Sequence, residues 1–248
     1  MNNNFITLVM AAGMGKRMGS DLPKVLHPLA GKTLVQHVIE LANKVGSNRT
    51  VLIVGHKREL VKEETREAGV EYVTQVQQRG TADAVESCRD AVGDFDGDLL
   101  VLSGDVPLMK PETVLEALEL HKSTSSSATV FTFKPEDPTG YGRTIRNDNQ
   151  ELDRIVEHKD ADESELAVGE VNAGIYFFRS QDLFNALLKV SDDNASGEFY
   201  ITDTIGVMRG ENKRVSAFLV KNHKEVAGVN NPDQLAELET YFLQQQTG

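Results

Sequence analysis

The sequence predicts an α/β fold: a Rossmann-like, mainly parallel sheet flanked by helices, with a smaller sheet extension over its active face. Three observations predict it. Short apolar runs alternate with longer amphipathic ones through the first half of the chain, the pattern of βαβ units. Unusual loops follow three of the apolar runs, at residues 11–24, 75–81 and 103–108, where open α/β sheets bind ligands. And 248 residues with 40% hydrophobic content supply a sizeable core, enough for one large domain or two small ones.

The elements follow in order. Phe5–Met10 reads as a buried strand because it is a continuous apolar run. Thr33–Val45 reads as a helix, with Leu34, Val38, Leu41 and Val45 at helical spacing. Strand Thr50–Val54, helix Lys57–Ala68, strand Val70–Val73, helix Thr81–Val92 and strand Leu99–Leu102 continue the alternation. Helix Pro111–Lys122 opens with Pro111, which suits a first-turn position. Ser123–Ser127 has the composition of a short, mobile polar linker.

The second half has a different texture. Ala128–Phe133 is strand-like and runs into a turn-rich loop, residues 135–143. Leu152–Glu157 and Val171–Phe178 read as strands around an acidic loop, His158–Glu170. Ser180–Leu188 and Phe199–Met208 look helical, Val215–Val220 is a late strand, and Asn231-Pro232 opens a final helix to about Gln245. No internal repeat is present.

Composition excludes several classes. A formal net charge of −12 argues against general nucleic-acid binding, which needs a basic face. Cys88 is the single cysteine, so no intrachain disulfide and no Cys-rich zinc site can form, and its helical setting predicts a buried residue. No run of 18 apolar residues and no signal-peptide layout occur, so no membrane association is expected and the expected compartment is the cytoplasm. The six histidines show no metal-ligand spacing.

Against this acidic background the loop after the first strand stands out. Residues 10–26 carry Gly13, Gly15 and Gly19 with Lys16, Arg17 and, after Pro23, Lys24. Glycines let backbone N–H groups approach an anion, and three cations supply opposing charge, so the loop reads as a polyphosphate site. It fits neither the dinucleotide fingerprint nor the P-loop. Its spacing, Ala11-Ala12-Gly13-x-Gly15-x-Arg17-Met18 followed by Pro23-Lys24, resembles sugar-nucleotide pyrophosphorylases. The alternative is a plain glycine-rich turn.

Other segments bear on that chemistry. Joining two phosphate compounds gathers about four negative charges, and Mg²⁺ would neutralise them through one or two protein oxygens. Asp105, in Ser103-Gly104-Asp105-Val106-Pro107 just past a buried strand, is placed to supply one; the alternative is a turn-capping Asp. Gln75-Val76-Gln77-Gln78-Arg79-Gly80-Thr81 offers amides that suit a nucleobase edge, then Gly80 for close approach and Thr81 as a helix N-cap. The alternative there is an N-cap with solvated glutamines. Gly142, Glu157 and Asn172 lie in segments that look like edges of a polar sugar pocket, unless the last two are exposed strand ends.

Taken in order, these segments resemble the N-terminal uridyltransferase domain of bacterial bifunctional enzymes that make UDP-N-acetylglucosamine. The match also runs through Pro138-Thr139-Gly140-Tyr141-Gly142-Arg143, Ile155-Val156-Glu157-His158-Lys159-Asp160, Gly197-Glu198-Phe199-Tyr200 and Gly228-Val229-Asn230-Asn231. The resemblance implies a fold of the nucleotide-diphospho-sugar transferase type and transfer of UMP from UTP to N-acetylglucosamine 1-phosphate, a step in peptidoglycan, cell-wall and lipopolysaccharide synthesis. It implies that Met10, Ala11, Ala12, Gly13, Gln75 and Gly80 hold uracil, with Thr81, Ser103, Gly104 and Asp105 lining the nucleotide site. Arg17 and Lys24 would hold the triphosphate, Asp105 and Asn230 would bind Mg²⁺, and Gly142, Glu157 and Asn172 would meet the sugar. The pairing of Asp105 with Asn230 comes from the resemblance alone. Residues 1–110 would form the nucleotide part and 111–229 the sugar part, with 230–248 adding the metal-binding Asn and a linker-like helix.

Two positions depart from the pattern. Lys16 stands where the family usually has Thr, and Asp83 where it usually has His, a form also similar to adenylyl- and thymidylyltransferases for glucose 1-phosphate. Another base or sugar 1-phosphate, or a non-catalytic nucleotide-sugar sensor, are the competing readings. The hexapeptide-repeat acetyltransferase domain of the bifunctional enzymes is not in this sequence. The chain therefore reads as a fragment or a standalone uridyltransferase without acetyltransferase activity. It is expected to be a monomer or weak dimer without the trimerising domain.

Overall fold

The computed structural model describes residues 4–246. Strand β1 (Phe5–Ala11) is followed by a glycine loop with two short 3₁₀ turns, Lys16–Met18 and Lys24–Leu26. A two-strand hairpin, β2 (Pro28–Leu29) and β3 (Lys32–Thr33), leads into α1 (Leu34–Lys44). Then come β4 (Arg49–Val54), α2 (Arg58–Thr65), β5 (Glu71–Thr74), α3 (Thr81–Glu86), α4 (Arg89–Val92), β6 (Asp98–Ser103) and α5 (Pro111–Ser123). The second half supplies β7 (Ala128–Phe133), β8 (Arg143–Arg146), β9 (Leu152–Val156), α6 (Glu163–Leu166), β10 (Val171–Arg179), α7 (Ser180–Leu187), α8 (Asp203–Gly210), β11 (Val215–Leu219) and α9 (Pro232–Gln246).

The main sheet runs β11-β7-β10-β6-β1-β4-β5. β5, β4, β1 and β6 are parallel neighbours, β10 enters antiparallel between β6 and β7, and β11 lies parallel to β7. β1 and β6, at the centre, are almost wholly apolar because both faces are covered. One face packs Val35, Val38 and Leu41 of α1 with Val114 and Leu118 of α5. The other packs Val85 of α3, Leu183 of α7 and Ile205 of α8. The β8–β9 hairpin joins the sheet through Arg143 opposite Val171 and forms the expected sheet extension.

A third, smaller apolar cluster ties the end of the chain to the beginning. Leu238 of α9 is buried with Met18, Leu29, Leu34 and Val229. Glu239 of the same helix accepts the Ala30 backbone N–H at 2.9 Å, which supports a residue held at φ 49° in the hairpin turn. The helix is thus docked on the segment that follows the glycine loop.

Several expectations are corrected. The helix expected over Thr81–Val92 is two, separated where the Ser87 hydroxyl donates to Ala84 O at 2.6 Å and draws the backbone out of register. Residues 199–200 are irregular and 201–202 a turn, so α8 starts only at Asp203. The expected mobile linker is pinned: Ser126 and Ser127 are buried, Ser126 Oγ lies 2.7 Å from Ser216 Oγ, and Ser127 N donates to Arg214 O at 2.8 Å. β8 was not foreseen: the expected loop took in only its first residue, Arg143, and Arg-Thr-Ile-Arg carries little apolar signal. Cys88 is fully buried as expected, and burial pushes its thiol up to about 12.

Candidate active site

The carboxyl ends of β1 and β6 open onto a cleft of about 390 Å³. Met10, Ala11, Ala12, Gly13, Lys24, Gln75, Gly80, Thr81, Ser103 and Asp105 line it, ten of the residues singled out from sequence. Gly104 lies directly behind, its N–H donating to Met10 O at 2.9 Å and joining the two strand ends. Gln78 and Glu198 also line the cleft. The amide-rich loop had flagged Gln78, whereas no pattern in the sequence gave Glu198 a role. A larger groove of about 620 Å³ between α1 and α2 is lined by Glu40, Glu63, Glu64 and Glu67 with Lys32 and Arg66, and holds none of the residues singled out from sequence.

At one end of the cleft four remote residues converge. Lys24 Nζ pairs with the Asp105 carboxylate and donates to Asn230 Oδ1 at 3.3 Å. Arg17 Nη2 donates to the same Asn230 oxygen at 3.0 Å. Lys24 is set by the short turn after Pro23, against which Gly15 packs at φ 60°: a Cβ on Gly15 would fall 2.6 Å from Lys24 Cβ. Asp105 is fixed from the back, its carbonyl accepting the Val229 N–H at 3.0 Å. Asn230 is aimed by Gln234 of α9, whose Oε1 accepts the Asn230 N–H at 2.8 Å. The Lys16 side chain lies outside the described side chains.

Two acceptor oxygens, one from Asp105 and one from Asn230, therefore share a single ammonium. That donor set fits a hard cation, which takes carboxylate and amide oxygens. Among the described residues no group of three or more His, Cys, Asp or Glu is arranged to hold a metal. Any ion here would draw its remaining ligands from bound phosphate and water.

Gly80 and Thr81 have a structural task as well as a place in the cleft. Gly80 sits at φ 124°, and Phe199 crosses it so closely that a Cβ would lie 2.4 Å from Phe199 O. Phe199 N donates to Arg79 O at 2.8 Å and Ala82 N to Phe199 O at 2.9 Å. The close approach expected of Gly80 is thus by the protein's own backbone. Thr81 is the first helical residue and not the N-cap; its hydroxyl accepts the Ile201 N–H at 2.9 Å.

The remaining candidates form a second group beside β10. Asn172 N donates to Gly142 O at 2.9 Å, and a Cβ on Gly142 would stand 3.4 Å from both Glu157 carboxylate oxygens. A bulge in β10 between Asn172 and Tyr176 turns the Asn172 amide, whose Nδ2 donates to the Tyr176 hydroxyl at 2.7 Å. Glu157 accepts from the Thr202 hydroxyl at 3.0 Å. Burial raises the Glu157 carboxyl above its ordinary range, against that hydrogen bond, and Asp203, Asp160 and Glu198 add repulsion. The 138–142 loop is held by buried Arg143, which donates to Pro138 O at 2.7 Å and also to Tyr141 O. Ser103 Oγ donates to Gly174 O at 3.3 Å, joining this group to the cleft.

The arrangement offers a strand-end cradle with two cations, two acceptor oxygens and a polar recess alongside. The sequence profile described as nucleotidyl transferase matches residues 6–226. Bifunctional protein GlmU of Oceanobacillus iheyensis is 45% identical over 239 residues, and that of Bacillus cereus 43%. The alignments take in 96% of this chain and 52% of each relative, so the chain spans about half the length of the curated relatives it matches. Two structures of UDP-glucose pyrophosphorylase, one complexed with UDP-glucose and one apo, superpose with TM-scores of 0.77 and 0.76. They cover 99% of this chain and 100% of theirs at 18% identity, a likeness of fold.

Proposed function

The chain belongs to the nucleotidyl transferase family, and from that premise we propose that it transfers UMP from UTP to N-acetylglucosamine 1-phosphate, releasing pyrophosphate. The observation that carries this reading is the meeting of Arg17, Lys24, Asp105 and Asn230 at the mouth of the cleft. The relatives, in which the aligned half belongs to a bifunctional protein, support the choice of substrates.

In the proposed reaction an oxygen of the sugar phosphate attacks the α-phosphorus of UTP in line with the departing pyrophosphate. The attacking phosphate has a second pKa of about 6 and is ionised at neutral pH, so no general base is required. The chain's task is alignment and neutralisation of charge. Arg17 and Lys24 face the triphosphate. The nucleobase lies against Gln75, Gly80 and the Met10–Gly13 backbone, beside Thr81 and the Ser103–Asp105 turn. Glu157, Asn172 and the Gly142 backbone receive the sugar hydroxyls and acetamido group.

Asp105 and Asn230 would hold Mg²⁺, which when bound neutralises phosphate oxygens. Their two oxygens now meet at the Lys24 ammonium. With those oxygens holding the ion, Lys24 would be left to pair with a phosphate. We assign the nucleotide part to residues 1–110, the sugar part to 111–229 and a cation-holding end to 230–248. The isolated chain should be a monomer or weak dimer, checked by light scattering.

The test is pyrophosphate release with UTP, CTP, ATP and dTTP crossed with N-acetylglucosamine 1-phosphate and glucose 1-phosphate, with and without Mg²⁺. Turnover should be greatest with UTP and the acetylated sugar and should require the ion. A preference for another nucleotide or for glucose 1-phosphate would reassign the substrates within the same chemistry. Binding without turnover would make the chain a sensor.

A further inference from the structure

The Gln75 side chain is buried at the edge of the cleft, with 6% of the residue exposed. Its Nε2 donates to Gly80 O at 3.0 Å and to Asp83 Oδ2 at 2.8 Å. A primary amide has two N–H donors, and both are engaged. Rotating the amide by half a turn would set its carbonyl oxygen against a carboxylate and a backbone carbonyl, leaving acceptors facing acceptors. Oε1 is the end left for a ligand.

Asp83 is itself held. Its other oxygen accepts from Arg79 Nε at 3.0 Å and Nη2 at 2.5 Å. The Arg79 guanidinium lies over the Phe199 ring, 5.3 Å from its centroid. The donor order thus runs one way: Arg79 to Asp83, Gln75 to Asp83, and an acceptor presented to the cleft.

We infer that Asp83 is a positioning residue for base selectivity, holding the Gln75 amide as a hydrogen-bond acceptor toward the base. The inference rests on the uridyl-transfer reading above. Uracil carries a donor, the imide N3–H, between its two carbonyls, whereas cytosine has a bare acceptor nitrogen at that position. An acceptor fixed at Gln75 matches the first and repels the second. Rejecting a ligand that leaves a buried polar group unpaired is the strongest form of discrimination a site of this kind has.

The test exploits the donor order. In Asp83→Asn, which keeps the shape, Arg79 still claims the Oδ1 oxygen because guanidinium only donates. The new Nδ2 then faces Gln75 and draws its carbonyl inward, opposed by Gly80 O alone, so that the turned amide points a donor into the cleft. The ratio of kcat/KM for UTP over CTP should fall at least about tenfold, chiefly through a higher KM for UTP with kcat retained. Asp83→Ala leaves Gly80 O to favour the original orientation, so its ratio should fall less, by about threefold. Adding Arg79→Ala to Asp83→Asn frees the asparagine to offer Oδ1 to Gln75 and should return the ratio toward wild type.

A ratio within twofold of wild type in folded Asp83→Asn, or equal losses for both nucleotides with no recovery in the double variant, would overturn the inference while leaving uridyl transfer intact. A wild-type chain that does not turn over UTP would sink both.

Discussion

Replacing Gly80 by alanine should damage the fold of the cleft wall, not merely its surface. The residue sits at φ 124°, and the added methyl would lie 2.4 Å from Phe199 O and 2.7 Å from Phe199 N. Both neighbours are backbone, so no side-chain rotation relieves the clash. Holding alanine in that region costs about 1–3 kcal/mol. Displacing Phe199 also sacrifices the bonds Phe199 N to Arg79 O and Ala82 N to Phe199 O, at about 0.5–1.5 kcal/mol each. The sum is about 2–6 kcal/mol, set against a total stability of about 5–15 kcal/mol. At about 2–4 °C per kcal/mol for a domain of this size, a 4 kcal/mol loss lowers the melting temperature by about 8–16 °C. Thermal melting followed by circular dichroism measures it. Gly13→Ala is the comparison: nothing lies within 4 Å of its Cβ position, so the melt should stay within about 2 °C while UTP turnover falls. A Gly80→Ala chain melting within 2 °C of wild type would refute the reasoning.

Other consequences are open to measurement. Arg17→Ala and Asp105→Ala should each lower kcat by about 10²–10³ at saturating Mg²⁺ in a pyrophosphate-release assay, and near-normal turnover would remove them from the proposed roles. Leu238→Ala should cost about 2–5 kcal/mol in urea unfolding. It should also raise the Mg²⁺ concentration needed for half-maximal rate, because α9 positions Asn230 through Gln234. Burial, with repulsion from Asp160, raises the Asp203 carboxyl to about 6. Its contribution to stability is therefore complete below about pH 4 and lost as pH rises through 6. Asp203→Asn should melt above wild type at pH 8, with the gap closing by pH 4; a gap independent of pH would contradict this.

How much of this was legible in the sequence depended on how local the cause was. β1 and β6 announce themselves because a strand buried on both faces needs a continuous apolar run. Pro111 marks the start of α5 because proline fits the first helical turn. The glycine loop and Asp105 were readable because they sit just past such strands. β8 was not, because its buried members are Arg143 and Thr144, satisfied by backbone carbonyls rather than by apolar packing. Nor did the linker composition of Ser126 and Ser127 disclose partners at Ser216 and Arg214. Thr81 was misread for a related reason: its hydroxyl serves Ile201, 120 residues away, and not its own helix. The convergence of Arg17 on Asn230 spans 213 residues, and no spacing rule reaches so far.

That span has a consequence for the order in which the molecule is made. Ribosomes add about 5–20 residues per second, so about 10–40 s separate the synthesis of Arg17 from that of Asn230. During that interval a nascent chain carries the cationic loop and the glycine bend but no amide oxygen to meet them. The anchoring Leu238 arrives later still. The central strands can therefore pair while the cleft is chemically unfinished, and only when α9 docks is the corner where Arg17, Lys24, Asp105 and Asn230 meet complete.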